Sequence, residues 1–360
     1  MNAPSNAASR AWPAEGLTRV PYWVYQDEAL YCREQERVFR GETWNFLGLE
    51  AELLGSRAHR ATFVGDTRVV VTRDANGLLE AFERPPSGSP SPAKLRVARL
   101  CGLVFGTFSE ETPALEEYLG PEILPRIERV MREPIRVLGG YTQALPNNWK
   151  PYAENVRDTY HASLLHSFYT TFRISRLSQR GGVIVGNGGA SHATFVMIDK
   201  SDRSDHYERA GVRAVRDGFS LEAPEVLEEV DELGDGVAIQ ILTVFPGFVL
   251  QQVHNSLAVR QIVPKGVKQT ELAWTCFGFA SDDDAMIERR LKQANLIGPA
   301  GYVSMEDGAA TGFVQRGVAG AGDRASVVEM GGAAVGTQES RLSETAVRGF
   351  WQVWRRLMDL

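Results

Sequence analysis

The feature that most narrows the fold is a succession of β-rich runs in the second half of the chain, at residues 183–198, 237–245, 248–263 and 270–280, with polar segments between them. Val, Ile, Phe and Thr recur in these runs, and such side chains pack well on a pleated surface, so the pattern predicts a sizeable antiparallel sheet. Residues 281–295 then read as a helix opened by Asp282, Asp283 and Asp284, whose charges suit the positive end of the helix dipole. A last helix from about Ser343 sets Val347, Trp351, Trp354 and Met358 along one stripe. With no internal repeat, these elements give an α+β protein in which helices cover one face of the large sheet.

The first half is more broken. Residues 1–16, rich in Ala, Ser, Asn and Pro, read as a mobile arm, and 27–41 carry Leu30, Tyr31 and Val38 at helical spacing. Residues 60–64, 67–72 and 78–82 are β-rich, with Asp74-Ala75-Asn76-Gly77 as a turn. This small antiparallel unit stops at Pro85-Pro86-Ser87-Gly88-Ser89-Pro90-Ser91-Pro92, which cannot continue a sheet and resembles a linker. Strand-like residues 94–108 and a helical segment at 115–119 follow, and a loop at 146–148 opens the central motif. The organisation expected is an arm and helix over residues 1–45, a small β unit over 46–108 with a linker at 84–93, and a large domain over 109–360.

At 360 residues and 43% hydrophobic content, there is material for one large or two ordinary cores. A net charge of -6 and a pI near 5.7 argue against a basic nucleic-acid surface, leaving small molecules and protein subunits as the expected partners. No run approaches the roughly 18 apolar residues of a membrane span, and residues 1–16 lack a signal-peptide pattern, so a cytoplasmic protein is expected. Cys32, Cys101 and Cys276 lie far apart and match neither a disulfide framework nor a CxxC metal site.

Chemistry concentrates between Asn148 and His166, where Glu154, Asn155, Asp158, His161 and His166 crowd together. On a regular helix a five-residue step turns His161 and His166 about 140° apart, so both can face one metal only if the helix is distorted, as by a π-bulge, or ends there. Two imidazoles and a carboxylate on one face of an octahedron suit oxygen-activating ferrous iron, with zinc as the chemical rival and ordinary hydrogen-bonded histidines as the bland account. Asp158 precedes His161 by three residues, so its carboxylate could orient the ring or simply pair with Arg157 or Lys150. Tyr160 and Asn155 could reach the same pocket. For the substrate wall, period-two alternation puts Phe248, Leu250, Gln252 and His254 on one face of residues 248–255, and Val249, Gln251, Val253 and Asn255 on the other. The Gln252 face is the expected wall, with Gln252, His254 and the terminal Asn255 as candidate substrate contacts.

The string Asn148-Trp149-Lys150, then Glu154-Asn155, then Asp158-Thr159-Tyr160-His161 and His166 resembles the iron motif of the Rieske-type aromatic ring-hydroxylating oxygenase large subunits. Its short Asn155 to Asp158 interval resembles the benzoate, anthranilate and salicylate branch. The likeness continues through Cys101-Gly102-Leu103-Val104-Phe105-Gly106, Leu115-Glu116-Glu117-Tyr118-Leu119-Gly120, Asn255-Ser256-Leu257-Ala258-Val259-Arg260 and the Trp-rich last helix. It implies a helix-grip-like catalytic domain with mononuclear Fe(II) on His161, His166 and a distant aspartate. The segment Ser304-Met305-Glu306-Asp307-Gly308 makes that aspartate Asp307, with adjacent Glu306 as the alternative. In the family the residue matching Asp158 bridges the iron site to an iron–sulfur cluster on a neighbouring subunit. The resemblance further implies O2 and an aromatic carboxylic acid as substrates, salicylate-type hydroxylation first and benzoate- or anthranilate-type dihydroxylation second. Ferredoxin or reductase partners, a small β subunit, and a homotrimer or α3β3 assembly are the implied company, and an inactive assembly subunit is the rival class.

One departure stands out. A Rieske 2Fe-2S cluster needs Cys-x-His and Cys-x-x-His pairs, and no cysteine here has a histidine two or three residues on. Where the family carries those pairs this sequence runs into the Pro/Ser/Gly segment, so the small β unit is expected to be a truncated remnant of a cluster domain. NADH-driven turnover should accordingly be weak or absent.

Overall fold

The computed structural model describes residues 10–54, 58–84, 92–132, 134–198, 209–211, 220–299 and 301–360. Strand β1 (Arg19–Pro21) leads to helix α1 (Glu28–Glu34), capped by the Asp27 carboxylate accepting from the Leu30 amide. A π-helical turn at Gln35–Phe39 continues α1, and Leu30, Tyr31 and Val38 are all buried. Six strands then form the small sheet: β2 (Asn45–Leu49), β3 (His59–Val64), β4 (Thr67–Arg73), β5 (Leu79–Glu83), β6 (Lys94–Leu100) and β7 (Leu103–Thr107), in spatial order β2-β7-β6-β5-β4-β3. The Asp74 carboxylate accepts from the Asn76 and Leu78 amides, and Gly77 takes a φ of 82°, so the expected turn links β4 to β5. β5 and β6 pair directly, Ala81 opposite Leu95 and Phe82 opposite Lys94. Of the expected linker, residues 85–91 lie outside the described residues, as do residues 1–9 of the expected arm.

Helices α2 (Leu115–Leu119) and α3 (Leu124–Val130) precede the large sheet. Its strands are β8 (Ile135–Leu145), β9 (Gly181–Gly186), β10 (Ser191–Met197), β11 (Val237–Val244), β12 (Phe248–Val253), β13 (Ser256–Gly266) and β14 (Gln269–Phe279), in order β8-β14-β13-β12-β11-β10-β9 and antiparallel throughout. Two of the expected β runs are each a pair of strands. The 183–198 run folds back at Gly188 and Gly189, where a Cβ on Gly189 would meet the Gly349 backbone at 2.4 Å. The 248–263 run folds back at His254, whose φ of 52° places a side chain in the left-handed region.

The central strands of the large sheet, β11, β12 and β13, are buried on both faces. On one, Phe248 and Leu250 pack with Phe46 and Phe105 of the small sheet and with Leu119 and Ile127 of α2 and α3. On the other, Val249, Ile262, Leu272 and Trp274 join helices α4 (Trp149–Asn155) and α9 (Thr345–Met358). Between α4 and α9 in sequence come α5 (Ala162–Leu165), α6 (Ser167–Thr171), α7 (Asp284–Ile297) and α8 (Tyr302–Val318), with β15 (Ala325–Val327) pairing β1. Asp283, rather than Asp282, caps α7 by accepting from the Met286 amide. Along α9, Val347, Trp351, Trp354 and Met358 are buried as one stripe. The fold is α+β, but α2, α3 and the small sheet occupy the face opposite the other helices. Among the described residues no helix is long and apolar enough to cross a membrane.

Candidate metal centre and pocket

Helix α4 is fixed before it reaches the site. Asn148 caps it by accepting from the Lys150 amide, and Gln315 of α8 accepts from the Asn148 amide at 2.9 Å. Inside, the Lys150 ammonium donates to Glu34 at 2.6 Å, and the Trp149 and Trp354 indoles donate to the same carboxylate at 2.8 and 2.9 Å. The helix ends at Asn155. The Asp158 carboxylate then accepts from the Tyr160 and His161 amides, nucleating the single turn of α5, and His166 leaves helical geometry at φ -82° and ψ 85°. The two histidines therefore converge because the helix is interrupted on both sides of α5. No π-bulge is used here; the π-helical turn lies after α1.

His161 Nδ1 is 2.8 Å from the Asp158 carbonyl oxygen, which can only accept, so this nitrogen carries the proton and Nε2 faces inward. His166 Nδ1 lies 2.7 Å from Glu306 Oε2. The inward Nε2 atoms of His161 and His166 stand 3.4 and 3.2 Å from Asp307 Oδ1, and the Asn155 amide donates to that oxygen at 3.1 Å. Two donors at right angles, each about 2.1 Å from a metal, would be about 3 Å apart, so the three ligand atoms have the spacing of a facial set. All lie within 4.8 Å of one another. Without a metal the same atoms form a charged cluster. Burial opposes charge on His161, but hydrogen bonding and attraction from Asp307 outweigh it and push the imidazole up to about 9. Burial works against the Asp307 carboxylate too, yet both histidines hold it well below the usual carboxylate range. A metal entering here must displace the extra proton this cluster favours on His161.

The cluster opens into a cavity whose empty space, open solvent at its mouth included, is about 700 Å³. Val196, Ile239, Ile241, Val253, Ile297 and Trp274 give apolar wall, and Asn155, Asp158, Thr194, Gln251, Arg260 and Arg341 give polar groups. Arg260 is 5% exposed, its guanidinium 4.4 Å over the Trp274 ring. It donates to the Tyr152 hydroxyl at 2.7 Å and to the Gln251 side-chain oxygen. Its Nε has no partner among the described residues; neither do Gln251 Nε2, Trp274 Nε1 or Thr194 Oγ1, all buried.

The structure brings Asn155, His161, His166 and Asp307 together and puts Asp158 on the cavity wall, where its carbonyl rather than its carboxylate holds the His161 ring. Tyr160 instead donates to Glu344. The expected substrate face is corrected, because Gln252 shares the parity of Phe248 and Leu250 and so points away from the cavity. Its amide donates to the Val237 carbonyl and accepts from Arg129 of α3. His254 borders a second cavity beside Glu229, and Asn255 is spent on the Val230 backbone and Glu232. Gln251 and Val253, on the opposite face, line the pocket instead. Arg260 was quoted above only within a motif; a cation inside the apolar run Ala258-Val259-Arg260 was the available signal.

Comparison with known proteins adds to this geometry. Residues 126–360 match the family described as ring hydroxylating alpha subunit, catalytic domain. The chain is 47% identical to the alpha 2 subunit of the terminal oxygenase component of terephthalate 1,2-dioxygenase from Comamonas sp, over 96% of this chain and 97% of that protein. It is 38% identical to the anthranilate 1,2-dioxygenase large subunit from Burkholderia cepacia (99% and 97% covered) and 30% identical to the large oxygenase component of salicylate 5-hydroxylase from Ralstonia sp (96% and 96%). The fold matches naphthalene 1,2-dioxygenase from Rhodococcus sp. bound to indole, with a TM-score of 0.75 at 18% identity over 94% of each chain. The chain thus belongs to the alpha subunits of the aromatic ring-hydroxylating oxygenases, oxidoreductases that use O2.

Proposed function

We propose that this chain binds ferrous iron through His161, His166 and Asp307 and is built to hydroxylate an aromatic carboxylic acid. The observation that carries the substrate class is Arg260, a buried guanidinium on the cavity wall with one donor unpartnered, flanked by the unpartnered amide of Gln251. A substrate carboxylate supplies the charge and acceptors those donors lack, while Trp274 and the Val and Ile side chains enclose the ring. Ferrous iron held at the triad supplies oxygen activation. Asn155 holds Asp307 by hydrogen bonding, and the Asp158 carbonyl keeps His161 in the tautomer whose lone pair faces the site.

Arg341 lines the same cavity, its guanidinium already donating to Ser175 Oγ and to the Arg176 and Gln179 carbonyls. The 47% identity to the terephthalate relative favours an aromatic diacid, the class its name carries, ahead of the salicylate-type substrate expected from sequence. The 2Fe-2S cluster of the family does not fit this chain. Cys32 is exposed on α1, Cys101 is exposed in the β6–β7 turn and Cys276 is buried on β14, and none has the histidine spacing a Rieske cluster needs. The terephthalate alignment runs over 400 positions, more than the 360 residues of the chain, so part of it lies opposite gaps here. That supports a missing cluster segment and weak or absent NADH-driven turnover, whatever reductase, ferredoxin or β subunit accompanies the chain. Titrating the ferrous protein with terephthalate, benzoate, anthranilate and salicylate, with nitric oxide as oxygen surrogate, tests the reading. At least one acid should perturb the iron spectrum, and if none does, the aromatic-acid assignment fails.

A further inference from the structure

Glu306 and Asp307 are consecutive on α8, about 100° apart around the helix, and meet different sides of the same imidazole. Asp307, 6% exposed, faces His166 Nε2 at 3.2 Å; the Glu306 side chain, a third exposed, reaches His166 Nδ1 at 2.7 Å. Nδ1 and Nε2 point away from each other across the ring, so Glu306 stands behind His166, on the side away from Asp307. It is outside the set of atoms able to share one ion.

A carboxylate oxygen accepts, so the Glu306 contact leaves the His166 proton on Nδ1 and the lone pair on Nε2. His161 is held in the same tautomer, but by the neutral carbonyl of Asp158. The two rings therefore differ in the charge of the group behind them. A charge-assisted bond is stronger than a neutral one and makes the ring a better electron donor. We propose that Glu306 is a positioning residue for the metal centre, fixing the orientation of His166 and making it the stronger of the two imidazole ligands. This rests on the reading of His161, His166 and Asp307 as the metal site.

The test is metal affinity and the visible spectrum, measured on the full chain by anaerobic chelator competition with Fe(II) and with Co(II), whose ligand-field bands report the ligand set. Glu306→Ala should bind both ions about 10- to 100-fold more weakly and shift the Co(II) bands. Glu306→Gln retains an oxygen acceptor without charge and should fall between Glu306→Ala and the unaltered protein. Asp307→Ala should lose stoichiometric binding altogether. Unchanged affinity and bands in both Glu306 variants would overturn the proposal, and so would a Gln variant no better than Ala. Loss in Glu306→Ala as complete as in Asp307→Ala would overturn it differently, by making Glu306 a ligand. Thermal unfolding of each variant separates these effects from loss of fold, to which the partly exposed Glu306 should contribute little. If the unaltered chain binds neither ion at this site, the metal reading fails along with the inference; a flat Glu306 series on a metal-binding chain rejects only the inference.

Discussion

Arg260 Nε is a buried donor without an acceptor among the described residues, and such a group is expensive unless a ligand completes it. Arg260→Met keeps much of the packing over Trp274 and removes the charge. It should weaken aromatic-acid binding by about 1.5–3 kcal/mol, roughly 10- to 150-fold, while leaving affinity for an uncharged ring nearly unchanged. Calorimetric titration with benzoate and with toluene makes the comparison, and equal losses for both would remove Arg260 as the carboxylate anchor. The proposed metal ligands give a sharper expectation: His161→Ala or His166→Ala should end stoichiometric iron binding, since two remaining ligands hold a labile ferrous ion poorly. Near-stoichiometric iron in either variant would sink the assignment. His161 and His166 were legible because their residue type and crowding are unusual in so short a stretch. Asp307 came only through resemblance, because nothing local marks one acidic residue in a helix as a ligand. Gln252 illustrates a different limit. Alternation separates Gln251 from Gln252 onto opposite faces, but when both faces of a strand are buried it does not say which one meets the pocket.

At the scale of elements, the site depends on α4 ending on time and on its start being immobile. The five-residue spacing of the histidines already excluded a regular helix; that the chain breaks rather than bulges depends on the Asp158 carboxylate gathering the Tyr160 and His161 amides just before α5, a choice set by local hydrogen bonds. The start is held by Glu34 and Lys150, both fully buried and 2.6 Å apart, which no sequence pattern pairs across so long a separation. Lys150→Met should destabilise the protein by about 3–5 kcal/mol, because it leaves the Glu34 charge buried with only two indole donors. Adding Glu34→Gln should restore much of that loss by removing the stranded charge. Urea unfolding of both variants reads this directly; a double variant as unstable as Lys150→Met alone would mean that packing, rather than charge, makes the pair necessary.

For the whole molecule the question is whether the chain can receive electrons at the site it has built. Either outcome of ring hydroxylation with O2, one oxygen retained or two, consumes two electrons beyond those of the substrate. The three cysteines are dispersed over α1, the β6–β7 turn and β14, and the pairing of Ala81 with Leu95 closes the small sheet across the short segment where a cluster lobe would be inserted. The sequence shows that the Cys and His pairs are missing, but not that β5 closes on β6, because residues 85–92 carry no strand signal from which a pairing could be read. Reconstitution with iron and sulfide should therefore give no Rieske-type visible band and no reduced-state electron paramagnetic resonance signal. Aromatic acids should nevertheless perturb the ferrous centre, since Arg260, Gln251 and Trp274 lie on strands of the large sheet that the small sheet does not interrupt. Binding and turnover should thus come apart: saturable acid binding by the iron-loaded chain, with no sustained product from NADH and purified reductase. Brisk NADH-dependent hydroxylation by this chain alone would show that electrons reach the site by a route needing none of the missing ligands, and the expectation of impaired turnover would have to be abandoned.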